Sequence, residues 1–130
     1  MRFCVLGSGS KGNATFVEAG GTRILIDAGF SGIEVERRLA AIDIDIATIS
    51  ALLVTHEHGD HIRGVQVLSR RYSLPVYVSK PTREAAGKSL ANIFQWRPIG
   101  AGSVFGHRNL VIHPFAVSHD AVDTLGFVVS

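Results

Sequence analysis

At 130 residues, with 46% hydrophobic and 18% charged side chains, the chain is too apolar for a disordered or polyelectrolyte segment and long enough for one domain with a sizeable core. A formal net charge of +2 is too small by itself to mark a polyanion binder. No apolar run approaches the ~20 residues of a membrane-spanning helix, and Gly7 to Ser10 interrupt the opening apolar stretch before a signal-peptide core forms, so the expectation is a cytoplasmic protein with no membrane partner.

Taken in chain order, Arg2 to Leu6 reads as a short buried strand. Its Cys4 is the single cysteine, with no internal disulfide partner, and is expected to be a buried thiol. The GSGSKGN run that follows is a loop by composition. Thr15 to Glu18 and Arg23 to Asp27 are β-prone segments joined around Gly20-Gly21, the chemistry of a hairpin. Ser31, Gly32, Ile33 and Glu34 match the S-x-x-E capping box and open a helix to about Ile42. Ala51 to Thr55 is a continuous apolar strand that runs directly into a group of histidines. Ile62, Val65, Val67 and Leu68 then predict one helix from His61 to Tyr72, closed before Pro75. Pro75 to Ser79 is a strand, and Pro81 opens a helix through TREAAGKSLANIF in which Gly87 costs ~1 kcal/mol relative to alanine. From Trp96 the chain turns β-like: Ser103 to Phe105, a turn over Gly106 to Asn109, and Leu110 to Ser118. Strands alternating with helices early and hairpins late predict a mixed α/β, layered α+β architecture in one domain over residues 1–130.

The stretch Thr55 to His61, T-H-E-H-G-D-H, holds three histidines and one aspartate in six positions, a density that core packing does not ask for. Side chains at i and i+2 of an extended segment share a face, so His56 and His58 can present two imidazoles to one ion. Gly59 permits a turn, after which Asp60 and His61 reach the same cavity from the next helix and can serve a second ion. Burying this many titratable groups without a cation would leave costly unpaired polar groups. Nitrogen and oxygen ligands without sulfur suit zinc, one ion or two, and also manganese or ferrous iron. Such an ion lowers the pKa of a bound water towards neutrality, and two ions clamp the attacking and leaving oxygens of a hydrolytic displacement.

This HEHGDH run, following a strand, resembles the HxHxDH signature of the metallo-β-lactamase superfamily. Leu25 to Gly29 (LIDAG) is similar to that family's strand ending in an aspartate, and Val117 to Ala121 (VSHDA) to the segment bearing its third histidine. With the GSGSKGN loop and the later LGF, these features resemble the WalJ (YycJ)-like branch, related to ribonuclease J and ribonuclease Z type nucleases. The resemblance implies the N-terminal αβ half of an αββα sandwich. It also implies that His56, His58 and His119 hold one ion, that Asp60 and His61 begin a second site, and that Asp27 braces the metal loop from behind. Asp60 would orient the attacking water as the catalytic residue. The implied activity is hydrolysis of phosphodiester bonds in nucleic acid. A small ester, thioester or lactam is the alternative within the same chemistry, and a non-catalytic metal-binding fragment the alternative outside it. The family's bridging aspartate and final histidine have no clear counterpart here, since neither Asp120 nor Asp123 follows a strand end as the bridging residue does. A missing second half-domain or another chain is therefore expected to complete the metal site.

Gly7, Gly9 and Gly12 satisfy G-x-G-x-x-G after a strand, but the helix that a dinucleotide site requires is replaced by two β-prone segments, and Lys11 is misplaced for a Walker A loop. The loop instead offers Ser8, Ser10 and Asn13 to a substrate phosphate, or is a plain tight turn. Between Arg63 and Arg108 eight cations stand against the single acid Glu84, interleaved with Tyr72, Tyr77, Phe94 and Trp96. Nucleic-acid binders use that pairing, and so does a solvated helical face with its aromatics turned inward. His107 is expected in an exposed turn, and His113 too far along its strand to reach an ion.

Overall fold

A computed structural model describes residues 1–118 and 123–130. A six-stranded sheet is built from β1 (Arg2–Gly7), β2 (Ala14–Ala19), β3 (Thr22–Ile26), β4 (Ala51–Leu53), β5 (Pro75–Val78) and β6 (Gln95–Pro98), in sequential order. Its first three strands are antiparallel and β3 to β6 run parallel. The helices α1 (Gly32–Ala40), α2 (Gly59–Ile62), α3 (Val65–Tyr72) and α4 (Lys80–Ala86) fall between the parallel strands, as crossover geometry demands. A second, antiparallel sheet holds β7 (Phe105–His107), β8 (Leu110–Ala116) and β9 (Leu125–Val129).

Strand alternation sorts the core into two layers. Phe16, Leu25, Leu52, Val54, Val76 and Val78 pack with Val35, Leu39, Val65 and Leu68 of the helices. The opposite face, Val17, Ile24, Ala51, Leu53 and Tyr77, packs against Leu110 and Ile112 of the second sheet. Because β4 is covered on both sides it reads as an unbroken apolar run. The layered α/β class expected from the sequence is thus present, with three strands of a second sheet added to the helix-covered half. The outer face of that second sheet exposes Val111 (43%), Phe115 (46%) and Val128 (55%). No described helix is long and apolar enough to cross a membrane.

Local chemistry explains where expectation and structure agree. Gly20 (φ 57°) and Gly21 (φ 81°) supply the two left-handed positions of the β2–β3 turn. Ser31 Oγ accepts from Glu34 N at 3.3 Å, but the Glu34 carboxylate pairs with Arg37 and Arg38 instead of reaching back, so the capping box is half formed. Arg38 in turn donates to Leu6 O at 2.6 Å and lies 3.8 Å over the Phe30 ring, pinning α1 to the loop after β1.

Four expectations need correction. The strand β1 is an edge strand with Phe3 and Val5 exposed, so Cys4 is only half-buried. The helix expected from His61 to Tyr72 is broken at Gly64, whose N–H donates to Ala28 O at 2.7 Å and leaves the helical ladder. A Cβ there would stand 2.4 Å from Phe30 O, so only glycine permits the contact. Gly87 (φ 55°) ends α4 outright, and residues Gly87–Leu90 continue as a 3-10 turn. His107 lies on β7, half-buried rather than in an exposed turn, because Ser50 and Tyr77 of the first sheet hold both of its ring nitrogens.

Candidate metal centre

The histidine cluster grows from the C-terminal ends of β3 and β4. Beyond β4 the backbone stays extended through Val54, whose N–H donates to Tyr77 O at 3.0 Å, and delivers His56 into the interior with only 4% of its surface exposed. His58 sits at the N-cap of α2 with extended backbone (φ −62°, ψ 141°), and Asp60 and His61 occupy the first turn of that helix. The ring centroid of His56 lies 4.7 Å from that of His58 and 3.9 Å from that of His61. Asp60 Oδ2 stands 3.8 Å from His61 Nε2. The loop therefore places His56, His58, Asp60 and His61 in one neighbourhood. His119 lies outside the described residues.

Asp27 and Thr55 form a hub behind these rings. Asp27 follows β3 in a left-handed conformation (φ 62°), its N–H donating to Leu53 O at 2.7 Å, and its carboxylate is 5% exposed. Oδ1 accepts from Thr55 N at 2.8 Å, while Oδ2 accepts from the Thr55 hydroxyl at 2.7 Å and from His61 Nδ1 at 2.6 Å. Since the Thr55 hydroxyl gives its one proton to Asp27, its oxygen can only accept from His56 Nδ1, 2.9 Å away. In their neutral form both imidazoles consequently carry their proton on Nδ1, and Nε2 is then the lone-pair nitrogen in each. A carboxylate or hydroxyl holding Nδ1–H in this way fixes tautomer and ring orientation for a metal ligand. The sequence marks Thr55 only by its place between a buried strand and the first histidine.

Burial lowers the pKa of His61, yet the hydrogen bond to Asp27 and the charges of Asp27 and Asp60 outweigh it and leave the ring above its ordinary value. A cation approaching Nε2 would meet the Asp60 carboxylate directly, while Asp27, bonded to Nδ1 on the far edge of the ring, would raise the ring's basicity from behind.

Asn13 ties the glycine loop to this cluster. Its carboxamide donates to Gly9 O at 2.8 Å and to Asp60 Oδ2 at 3.1 Å, and its oxygen accepts from Gly9 N at 3.0 Å. Asn13 N donates to Asp60 O at 2.8 Å, and Gly29 N to Asn13 O at 2.9 Å. A Cβ on Gly29 would stand 1.8 Å from Asp60 O, so the LIDAG segment and the metal loop pack backbone to backbone. The side chain of Asn13 is thus committed to positioning Asp60, whereas Ser8 and Ser10 are exposed on the same loop. Leu125 N donates to Thr55 O at 2.9 Å, which sets the start of β9 beside the metal loop.

Nitrogen lone pairs on neighbouring imidazoles, a carboxylate beside them and protonated Nδ1 atoms turned away are donor types that a divalent cation takes, so the residues fit one in their chemistry. Among the described residues, no group of three or more His, Cys, Asp or Glu side chains is arranged so that it could hold a metal ion. Of the basic and aromatic middle segment, Tyr77 is buried, Tyr72 donates to Glu36, and Trp96 Nε1 donates to Val78 O at 3.0 Å, which leaves Phe94 the exposed one of the four aromatics.

The layered α/β fold carries the histidine loop beyond the ends of β3 and β4, and the Metallo-beta-lactamase superfamily profile matches residues 7–129. The chain belongs to that superfamily, whose members generally bind divalent metals such as zinc. It is 39% identical over 127 residues to the Exodeoxyribonuclease YycJ of Bacillus anthracis, covering 96% of this chain and 48% of that protein. It is also 38% identical over 131 residues to the Exodeoxyribonuclease WalJ of Streptococcus pneumoniae serotype 2 (strain D39 / NCTC 7466), covering 94% and 47% respectively. The chain spans about half the length of these curated relatives. In fold it is similar to the Rm3 metallo-beta-lactamase, with a TM-score of 0.79 at 19% identity over 98% of this chain and 53% of that one.

Proposed function

We propose that the chain is the metal-binding part of a divalent-metal-dependent hydrolase that cleaves phosphodiester bonds of nucleic acid in the manner of an exonuclease, in the cytoplasm. The observation that carries this reading is the Asp27–Thr55 hub, which engages Nδ1 of His56 and His61 and so supports Nε2 as the atom each neutral ring offers to a cation. The relatives named exodeoxyribonuclease support the substrate class. His56, His58 and His119 hold one ion, and Asp60 and His61 begin a second site. Zinc suits these ligands best, with manganese or ferrous iron as substitutes. When bound, the cation supplies Lewis acidity at the scissile phosphate. Asp60, held by Asn13, orients the attacking water, and the exposed hydroxyls of Ser8 and Ser10 receive a substrate phosphate. A second αβ half covers Val111, Phe115 and Val128 and completes the ligand set; an exposed apolar sheet face of this kind is what an αββα sandwich buries.

The test is cleavage of an end-labelled DNA oligonucleotide by zinc- or manganese-loaded protein against its His58→Ala variant. Metal-dependent release of nucleotides by the parent and none by the variant is expected. Equal turnover in both, or turnover unaffected by chelator, discards the assignment.

A further inference from the structure

At the opposite end of the six-stranded sheet a cavity of about 670 Å³ opens where β4, β5 and β6 begin. Its lining contains Arg97 and Arg108 and no carboxylate. Along the extended chain it lies six residues from His56, about 20 Å at strand rise, so it is separate from the metal loop. Ser50 and His107 of its lining belong to an ordered relay. Tyr77 O–H donates to His107 Nδ1 at 3.1 Å, His107 Nε2–H donates to Ser50 Oγ at 2.8 Å, and Ser50 O–H donates to Arg23 O at 3.2 Å. Both ring nitrogens of His107 are engaged by this relay, and the neutral ring is what it requires. Burial, then the positive charges of Arg108 and Arg97, hold His107 below its ordinary pKa. What the rim still offers is cationic donors: Arg97 gives one N–H to Gln95 Oε1, and Arg108 has no ion-pair partner among the described residues.

The placement of Arg108 is also determined. It adopts a left-handed backbone (φ 52°) in the β7–β8 turn, a conformation uncommon outside glycine. The turn is held there by Asn109, which donates from its side chain to Gly20 O and from its N–H to Thr22 Oγ1 at 3.4 Å, both on the β2–β3 hairpin. Two arginines in the lining of a polar cavity that lacks acidic groups are suited to a doubly charged, oxygen-rich anion, which accepts readily from planar guanidinium forks.

We propose that this cavity is a second ligand site, which binds a phosphate group through Arg97 and Arg108 above the His107–Ser50 relay. It is independent of the hydrolase reading and needs no metal. The phosphate is either a free anion or one group of a nucleic-acid backbone.

The experiment follows the His107 ring signals by NMR in the purified chain while inorganic phosphate is added, and then a single-stranded oligodeoxynucleotide. Saturable movement of the His107 signals, together with a rise in its pKa as the anion offsets the two guanidiniums, is expected in the parent and in the Arg70→Gln and His58→Ala variants. In the Arg97→Gln/Arg108→Gln variant the phosphate affinity falls roughly tenfold or more, the scale of lost charge-assisted hydrogen bonds. Saturation by orthophosphate alone identifies a small-anion site, and tighter saturation by the oligonucleotide at the same signals identifies a backbone contact; both support the proposal. A linear, unsaturated response, or equal affinity in the doubly substituted chain, overturns it. His58→Ala retaining the site while losing cleavage keeps this test separate from that of the hydrolase.

Discussion

Asp27→Asn is the sharpest perturbation of the candidate metal centre, because it keeps shape and changes only what one carboxylate edge can accept. The carboxamide oxygen can keep the bond from Thr55 N at 2.8 Å. Its NH2 then replaces the atom that accepts from the Thr55 hydroxyl at 2.7 Å and from His61 Nδ1 at 2.6 Å, so donors face donors. Two hydrogen bonds to a charged group contribute about 1.5–3 kcal/mol each. Rotation of the Thr55 hydroxyl and a switch of His61 to its Nε2–H tautomer recover part of this, which leaves an expected loss of about 2–4 kcal/mol. For a chain of this size that lowers Tm by roughly 8–16 °C. The tautomer switch puts a proton on the nitrogen meant for the metal, so zinc affinity should fall about 10- to 100-fold, as for other residues that orient ligands. Thermal unfolding of the metal-free protein and competition against a zinc-binding dye measure the two effects separately. A variant that melts within about 2 °C of the parent and binds zinc within about twofold refutes the hub as the orienting device.

Thr55→Val removes the hydroxyl between Asp27 and His56 at constant volume; it should cost about 1–3 kcal/mol and weaken zinc binding, with Thr55→Ser restoring most of both, as calorimetry would show. Gly29→Ala drives a methyl against Asp60 O and should cost more than about 3 kcal/mol by urea unfolding, whereas Gly100→Ala, with nothing within 4 Å, should stay within about 0.5 kcal/mol. For pH dependence, the lowered pKa of His107 means that the unfolded chain takes up a proton near pH 6.5 while the folded chain resists it, so this group's contribution is present above that pH and lost on acidification. His61 runs the other way in the metal-free chain: its raised pKa stabilises the fold below the unfolded value and the effect disappears as pH rises through the folded one. Stability measured from pH 8 to pH 5 should therefore fall less steeply at the acid end in His107→Gln than in the parent, and a parallel profile would contradict the assignment.

Much of the candidate site is legible in the sequence because its signals are local. The HEHGDH run places four ligand-type side chains within six residues, and strand and helix periodicity alone bring them to one end of β4. The hairpin at Gly20-Gly21 and the cap at Ser31 were legible for the same reason, since backbone geometry and first-turn hydrogen bonds are decided by neighbours in sequence. The aspartate behind the loop needed the family resemblance, and its partner Thr55 needed the fold, because the contact joins residues 28 apart in sequence.

What the chain's own order of residues determined, then, was the layered class, the superfamily and the inventory of metal-type donors. Tertiary packing alone decided that Gly64 would break a helix to meet Ala28, that β1 would be an edge leaving Cys4 half-buried, and that His107 would be held between two sheets. Each of these depends on which distant backbone or hydroxyl arrives to satisfy a hydrogen bond, a choice made by the global fold once the two apolar layers close, and one that local spacing does not encode.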